Sequence, residues 1–123
     1  MKKLSLLVAL LFVGASFFAQ KINVTNAHNA FKNYVPIVGD LETNKKALAE
    51  AKAAIDLAAV NTETSAAADM HRYRAMIYFS LIESNIQNSW QTGIKPDSSV
   101  MAGFENVIKE SCTFLISSVQ SGK

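Results

Sequence analysis

The chain has 123 residues, half of them apolar, which suits one small globular domain and argues against disorder. Twelve basic and ten acidic residues give a formal charge of +2. With Arg72 and Arg74 as the only arginines, the chain lacks the basic footprint of phosphate-backbone binding, which argues against nucleic acid as a partner. A single cysteine, Cys112, excludes an internal disulfide.

Met1-Lys2-Lys3 is a short positive stretch, and residues 4–13 (LSLLVALLFV) form an apolar run, followed by small and aromatic residues up to Ala19. This is the layout of a secretory signal peptide. Cleavage is expected after Ala19, with Ala15 as the alternative, because Phe17 is bulky for the position three residues before the cut. Read instead as an anchor, residues 4–19 fall short of the roughly 20 that span a bilayer, so no stable span is expected after cleavage. No cysteine ends the apolar run, so no lipid attachment is expected there. Residues 20–123 are then the exported domain, periplasmic or secreted, with charges balanced at ten of each sign once Lys2 and Lys3 are removed.

Strand signals are nearly absent, and the exported domain reads as four helices. The first is expected over residues 25–34, with Ala27, Ala30, Phe31 and Tyr34 on one face; Pro36 stops it and Gly39-Asp40 forms the turn. The second, residues 41–60, begins at an Asp40 cap with Glu42 in its first turn. It is alanine-rich, with bulk from Leu48, Ile55 and Leu57, and residues 61–65 (NTETS) read as a loop.

The third helix is expected over residues 65–84, with two apolar stripes and so two packing neighbours. Residues 85–96 (NIQNSWQTGIKP) read as a long polar connection of the kind that carries function, with Trp90 inside it. In that loop Trp90 is either a binding anchor or a cover over the third and fourth helices. The fourth helix, residues 98–119, has a cap at Asp97 or Ser98, and Gly103 is expected to loosen its first turn. Met101, Phe104, Ile108, Cys112, Leu115 and Val119 lie in register along it. Cys112 reads as a small buried hydrophobe, the alternative being an intermolecular disulfide.

Residues 47–55 (ALAEAKAAI) and 100–108 (VMAGFENVI) share a pattern of small and apolar positions, with 71–78 (HRYRAMIY) between them. Together they resemble tetratricopeptide repeats, specifically those of exported proteins of Gram-negative bacteria. The resemblance covers residues 47–108 and implies an all-α fold of about four antiparallel helices, arranged as two helix hairpins. On the first helix of a pair, Ala75 takes the place of the family's small residue, Tyr78 its tyrosine and His71 its tryptophan. On the second, Ala47, Ala51 and Ala54, and again Val100, Phe104 and Val107, match the small, aromatic and small positions. The two second helices are 53 residues apart rather than the family's 34, the proline after the second helix is missing near Ala59, and the surplus falls in residues 85–96.

What the resemblance implies for function is a non-enzymatic adaptor whose third helix presents Asp69, Arg72, Met76, Phe79 and Ser80 to a peptide or partner helix, with Trp90 as a further contact. The bland alternative is that Met76 and Phe79 pack on the first helix. Repeats bury their ends only against neighbours, so two pairs leave an apolar end, to be covered by a second copy through the C-terminal helix, by a partner, or by further repeats. Phe114, Leu115, Ile116 and Val119 are its expected residues.

No catalytic or cofactor signature is present in the sequence: no phosphate-binding glycine loop, no His-Glu-x-x-His, no paired cysteines and no nucleophile elbow. His28 and His71 are the only histidines, each expected to be packed or solvated rather than metal-bound. Asn23-Val24-Thr25 fits a glycosylation acceptor that a bacterial protein leaves bare. No enzyme, cofactor or metal is therefore expected. A competing architecture is a closed four-helix bundle holding a small apolar ligand between Tyr73, Tyr78, Phe104 and Trp90. A bundle pairs the first and fourth helices, whereas a solenoid keeps them apart.

Overall fold

The computed structural model describes residues 22–61 and 68–120, together with Lys3. The signal segment, its cleavage sites and most of the 61–65 loop lie outside the described residues. The fold is all-α, and among the described residues four helices make it up: α1 (residues 22–31), α2 (Leu41–Ala59), α3 (Ala68–Thr92) and α4 (Ser98–Gln120). Among the described residues there is no strand, and no helix is long and apolar enough to cross a membrane.

The chain leaves α1 ahead of Pro36, which cannot donate to a preceding turn. The reversal into α2 is tight: the Val38 amide donates to the Pro36 carbonyl at 2.8 Å and that of Gly39 to Val35 at 3.1 Å. Asn44 on α2 pins this turn. Its side-chain oxygen accepts from the Val35 amide at 2.9 Å and its amide nitrogen donates to the Val35 carbonyl at 2.8 Å, in a site only 1% exposed. Gly39 is required here, since a Cβ would lie 2.5 Å from the Val35 carbonyl oxygen. Asp40 caps α2 as its position implies, accepting from the Thr43 amide at 2.8 Å, and these bonds hold its carboxyl below the ordinary value.

α3 runs eight residues beyond the expected end at residue 84, so residues 85–92 are helix and the long polar connection does not exist. Polarity alone does not end a helix that has one face in solvent; a breaker does, and the first is Gly93. It adopts φ +73° and donates its amide to the Ser89 carbonyl at 2.9 Å, the left-handed exit that glycine permits. The link to α4 is residues 93–97, an ordinary length. Asp97 caps α4 by accepting from the Ser99 amide and hydroxyl at 2.9 and 2.8 Å. Gly103 lies within regular helix rather than in a loose turn, and its missing side chain admits the Tyr78 ring, whose Cε1 would be 3.2 Å from a Cβ.

α3 is the hub. The core joins α1, α2 and α3 through Ala27, Ala51, Ile55, Ala58, Met70 and Ile77, with Tyr34, Ala47 and Leu48 continuing it toward the α1–α2 turn. The alanines of α2 let its neighbours come close. His28 meets Tyr73 and Tyr34 lies beside Glu83, so α1 and α3 run in the same direction and touch directly. α4 runs antiparallel to α3, with His71 against Phe114, Arg74 against Glu110 and Phe79 against Phe104. α2 and α4 do not touch. Met76 and Phe79, on the flank of α3 between the α1 side and the α4 side, stay about half exposed at 45% and 51%. These two side chains therefore do not pack away on α1.

The register of α4 differs from the expected one. Gly103, Phe104, Val107, Ser111 and Phe114 turn toward α3, while Met101, Ile108, Cys112, Leu115 and Val119 turn to solvent. Cys112 is exposed, not a buried hydrophobe. Its apolar neighbours in sequence form a stripe that no other part of the described chain covers.

Candidate functional site

The extension of α3 changes what its outer face contains. Arg72, Met76, Phe79, Glu83, Ile86 and Trp90 follow one another at steps of four, three, four, three and four, which places all six on one face. Eighteen steps of about 1.5 Å each make this a stripe roughly 27 Å long. Trp90, expected in a loop, is thus brought into line with Arg72, Met76 and Phe79 by helix geometry. Its ring is 86% exposed and Ile86 is 43% exposed, so neither folds back over the core. Ser80 departs from the expected set, being buried on the inner side of the helix.

At the N-terminal end of the stripe, Arg72 pairs with Asp69 at 3.2 Å across an exposed turn, and its guanidinium lies 4.9 Å from the Tyr73 ring centre. Such an exposed pair adds little stability and is free to exchange partners. In the middle, Phe79 makes a tilted contact with Phe104 at 6.1 Å between ring centres, which fixes its ring while leaving half of it in water.

At the C-terminal end the stripe opens into a cleft of about 420 Å³ between α3 and the α1–α2 turn, lined by Tyr34, Ile37, Glu83, Ile86, Gln87 and Trp90 among others. Tyr34 is buried, and burial together with the neighbouring Glu83 carboxylate pushes its hydroxyl pKa up, so the phenol stays protonated. Ile37 is the residue that sequence reasoning missed. It has φ +70°, inside the turn closed by Val38 and Pro36, in a region that a β-branched side chain rarely enters. Gln87 donates to its carbonyl at 3.3 Å. The strained turn leaves the Ile37 side chain 85% exposed at the rim of the cleft, facing the solvent where a core residue would be expected.

A separate polar network sits between α2, α3 and α4. Asp56 accepts from Lys52 at 2.9 Å, from Arg74 at 3.2 Å and from the Tyr78 hydroxyl at 2.8 Å; Arg74 also pairs with Glu110. Burial works against the Asp56 charge, but the Lys52 and Tyr78 hydrogen bonds and the two cations outweigh it and lower its pKa. Burial and the Asp56 carboxylate raise the Tyr78 pKa. Each member is satisfied by another, and the network ties three helices together rather than presenting a reactive group.

The residues considered for other chemistry are dispersed. His28 makes a tilted contact with Tyr73 and His71 stacks on Phe114, at 4.7 and 4.5 Å between ring centres. Among the described residues no three His, Cys, Asp or Glu side chains converge as a metal site. Tyr73, Tyr78, Phe104 and Trp90 meet His28, Asp56, Phe79 and the Tyr34 cleft respectively, so these rings do not wall a common cavity. No known protein family matches this chain, and neither a characterised protein nor a solved structure matches it.

Proposed function

We propose that the chain is an exported, non-enzymatic protein–protein interaction module, a tetratricopeptide-like adaptor of the periplasm or cell exterior, that binds a partner segment along the outer face of α3. The observation that carries this reading is the exposed run of Met76, Phe79, Ile86 and Trp90, four large apolar groups in line on one helix. Solvated apolar surface of that kind is costly unless a partner covers it, and its spacing suits an amphipathic segment presenting anchors every three or four residues. The packing order supports the repeat reading: α1 and α3 touch in parallel, and α2 and α4 stay apart. Ala75 lies beside Ser111 and Phe114 where α4 approaches, and His71 stacks on Phe114, which suits the small and aromatic positions of the repeat. The signal-like first twenty residues support export.

Selection of a displayed peptide library on residues 20–123 tests this. Amphipathic peptides are expected to enrich, and the double variant Met76→Asp, Phe79→Asp is expected to weaken them at least tenfold, since anchors of this size are typically worth 1–2 kcal/mol or more each. Failure to enrich any sequence, or peptides indifferent to both substitutions, removes the adaptor reading.

A second surface supports self-association. Met101, Ile108 and Leu115 recur every seven residues on α4, with Cys112 and Val119 beside them, and they are 48%, 36%, 60% and, for Val119, 78% exposed. This is the spacing of a helix that pairs with another helix. Leu115→Lys with Val119→Lys is expected to turn a dimer into a monomer in light scattering, and the parent dimer is expected to cross-link through Cys112 under oxidation. An unchanged mass in the variant eliminates this face.

A further inference from the structure

We infer that the cleft between Tyr34, Glu83 and Trp90 receives a cationic side chain, lysine or arginine, from the segment that lies along α3. The inference rests on the adaptor reading and names the chemistry of one of its anchors. Glu83 is the one carboxylate on the cleft wall, half buried in otherwise apolar and amide surroundings. The ion pairs among the described residues lie elsewhere, at Glu42, Asp56, Asp69 and Glu110, and none of those lysines or arginines pairs with Glu83. What does face it is the Tyr34 hydroxyl, a neutral donor that satisfies one oxygen and, among the described residues, leaves the charge without a cation. A carboxylate in that position favours an incoming positive charge, and the surrounding low-dielectric wall strengthens the attraction relative to open water.

The rest of the cleft fits the shape of such a side chain. A lysine or arginine is an apolar stem ending in a charge, and needs apolar contact along its length with an acceptor at its end. Ile37 and Ile86 offer the first, with Ile37 held outward by its left-handed backbone. Trp90 stands at the mouth with its ring face available, the best aromatic partner for a cation. A purely apolar anchor would gain from Ile37, Ile86 and Trp90 but would strip water from Glu83 without replacing it, which disfavours that occupant.

Trp90 is the sole tryptophan and therefore reports on its own cleft. The test titrates the purified protein with Nα-acetyl-lysine methylamide and, in parallel, with Nα-acetyl-norleucine methylamide, which keeps the stem and removes the charge. The lysine probe is expected to shift Trp90 emission saturably at millimolar concentration, with the norleucine probe at least about fivefold weaker. Glu83→Gln is expected to weaken the lysine probe about fivefold, and added salt to act in the same direction. Norleucine binding as tight as lysine overturns the inference without needing any variant. A Glu83→Gln protein with unchanged helicity and unchanged lysine affinity does the same. Either result, or no emission change with lysine, leaves the adaptor reading standing if library peptides still depend on Met76 and Phe79. Loss of that dependence as well takes both readings down.

Discussion

Asn44→Ala is expected to cost about 3 kcal/mol of stability and to lower the melting temperature by roughly 15 °C, measured by thermal denaturation followed by circular dichroism. The side chain is fully enclosed and makes both of its hydrogen bonds to the main chain of Val35. Removing it deletes two bonds of about 1 kcal/mol each, strands the Val35 amide and leaves the Val35 carbonyl with the Gly39 amide as its remaining donor. The turn is also the wall of the cleft, since Ile37 lies between Val35 and Gly39, so its loosening is expected to weaken partner binding as well. Asn44→Leu separates the polar role from packing. It keeps the volume but no hydrogen bond, and is expected to be as damaging as alanine. A leucine variant that melts with the parent protein contradicts this account.

Asp56→Ala is expected to cost about 2–3 kcal/mol at neutral pH, because it leaves the largely buried Arg74 guanidinium with Glu110 alone and the Tyr78 hydroxyl without its acceptor. The sign of the pH dependence follows from the lowered Asp56 pKa. Its stabilisation is fully present above the ordinary carboxyl value near 3.8 and is lost as pH falls through the lower folded value. At the alkaline end, Tyr78 has a raised pKa, so its contribution holds below its ordinary value near 10 and fades as pH rises through the folded one. Denaturant unfolding at pH 7 and pH 2 checks this. The gap between parent and variant is expected to shrink in acid, and a gap of equal size at both pH values rules out the charge-based explanation.

Much of the architecture is legible in the sequence because its signals are local. The Asp40 cap, the alanine-rich α2 and the Asp97 cap are short-range features, and those helix starts fall where their residues imply. The α3 end is misread for a physical reason: polar residues 85–92 lie on a long helix with an exposed face, and the stop signal is Gly93 rather than the loss of apolar character. Burial is less legible than periodicity. The stripe containing Cys112, Leu115 and Val119 has the spacing of a core face, but spacing says only that a face is apolar, not that the same chain covers it. The candidate site is half readable, since Arg72, Met76, Phe79 and Trp90 stand out by type, whereas their alignment depends on the helix continuing past Ser84. Asn44 and Ile37 carry no local signal. Their roles come from a turn whose backbone groups need a partner nine residues away.

The docking of α4 divides the molecule energetically. Helices α1 to α3 share a continuous interior, whereas among the described residues α4 contributes Val107 as its one buried apolar residue and meets α3 through Gly103 against Tyr78, two ring contacts and the Arg74–Glu110 pair. With fewer fully buried side chains than the other helices share, α4 is expected to open from α3 at a lower free energy than the rest of the domain unfolds. Each opening exposes Phe104, Val107 and Phe114 beside the solvent-facing stripe, which widens the apolar face of the helix while Asn106, Lys109 and Thr113 keep its other side polar. Two such helices meeting while open would have a route to exchange places between molecules, so domain swapping is the expected variant of the pairing proposed for α4.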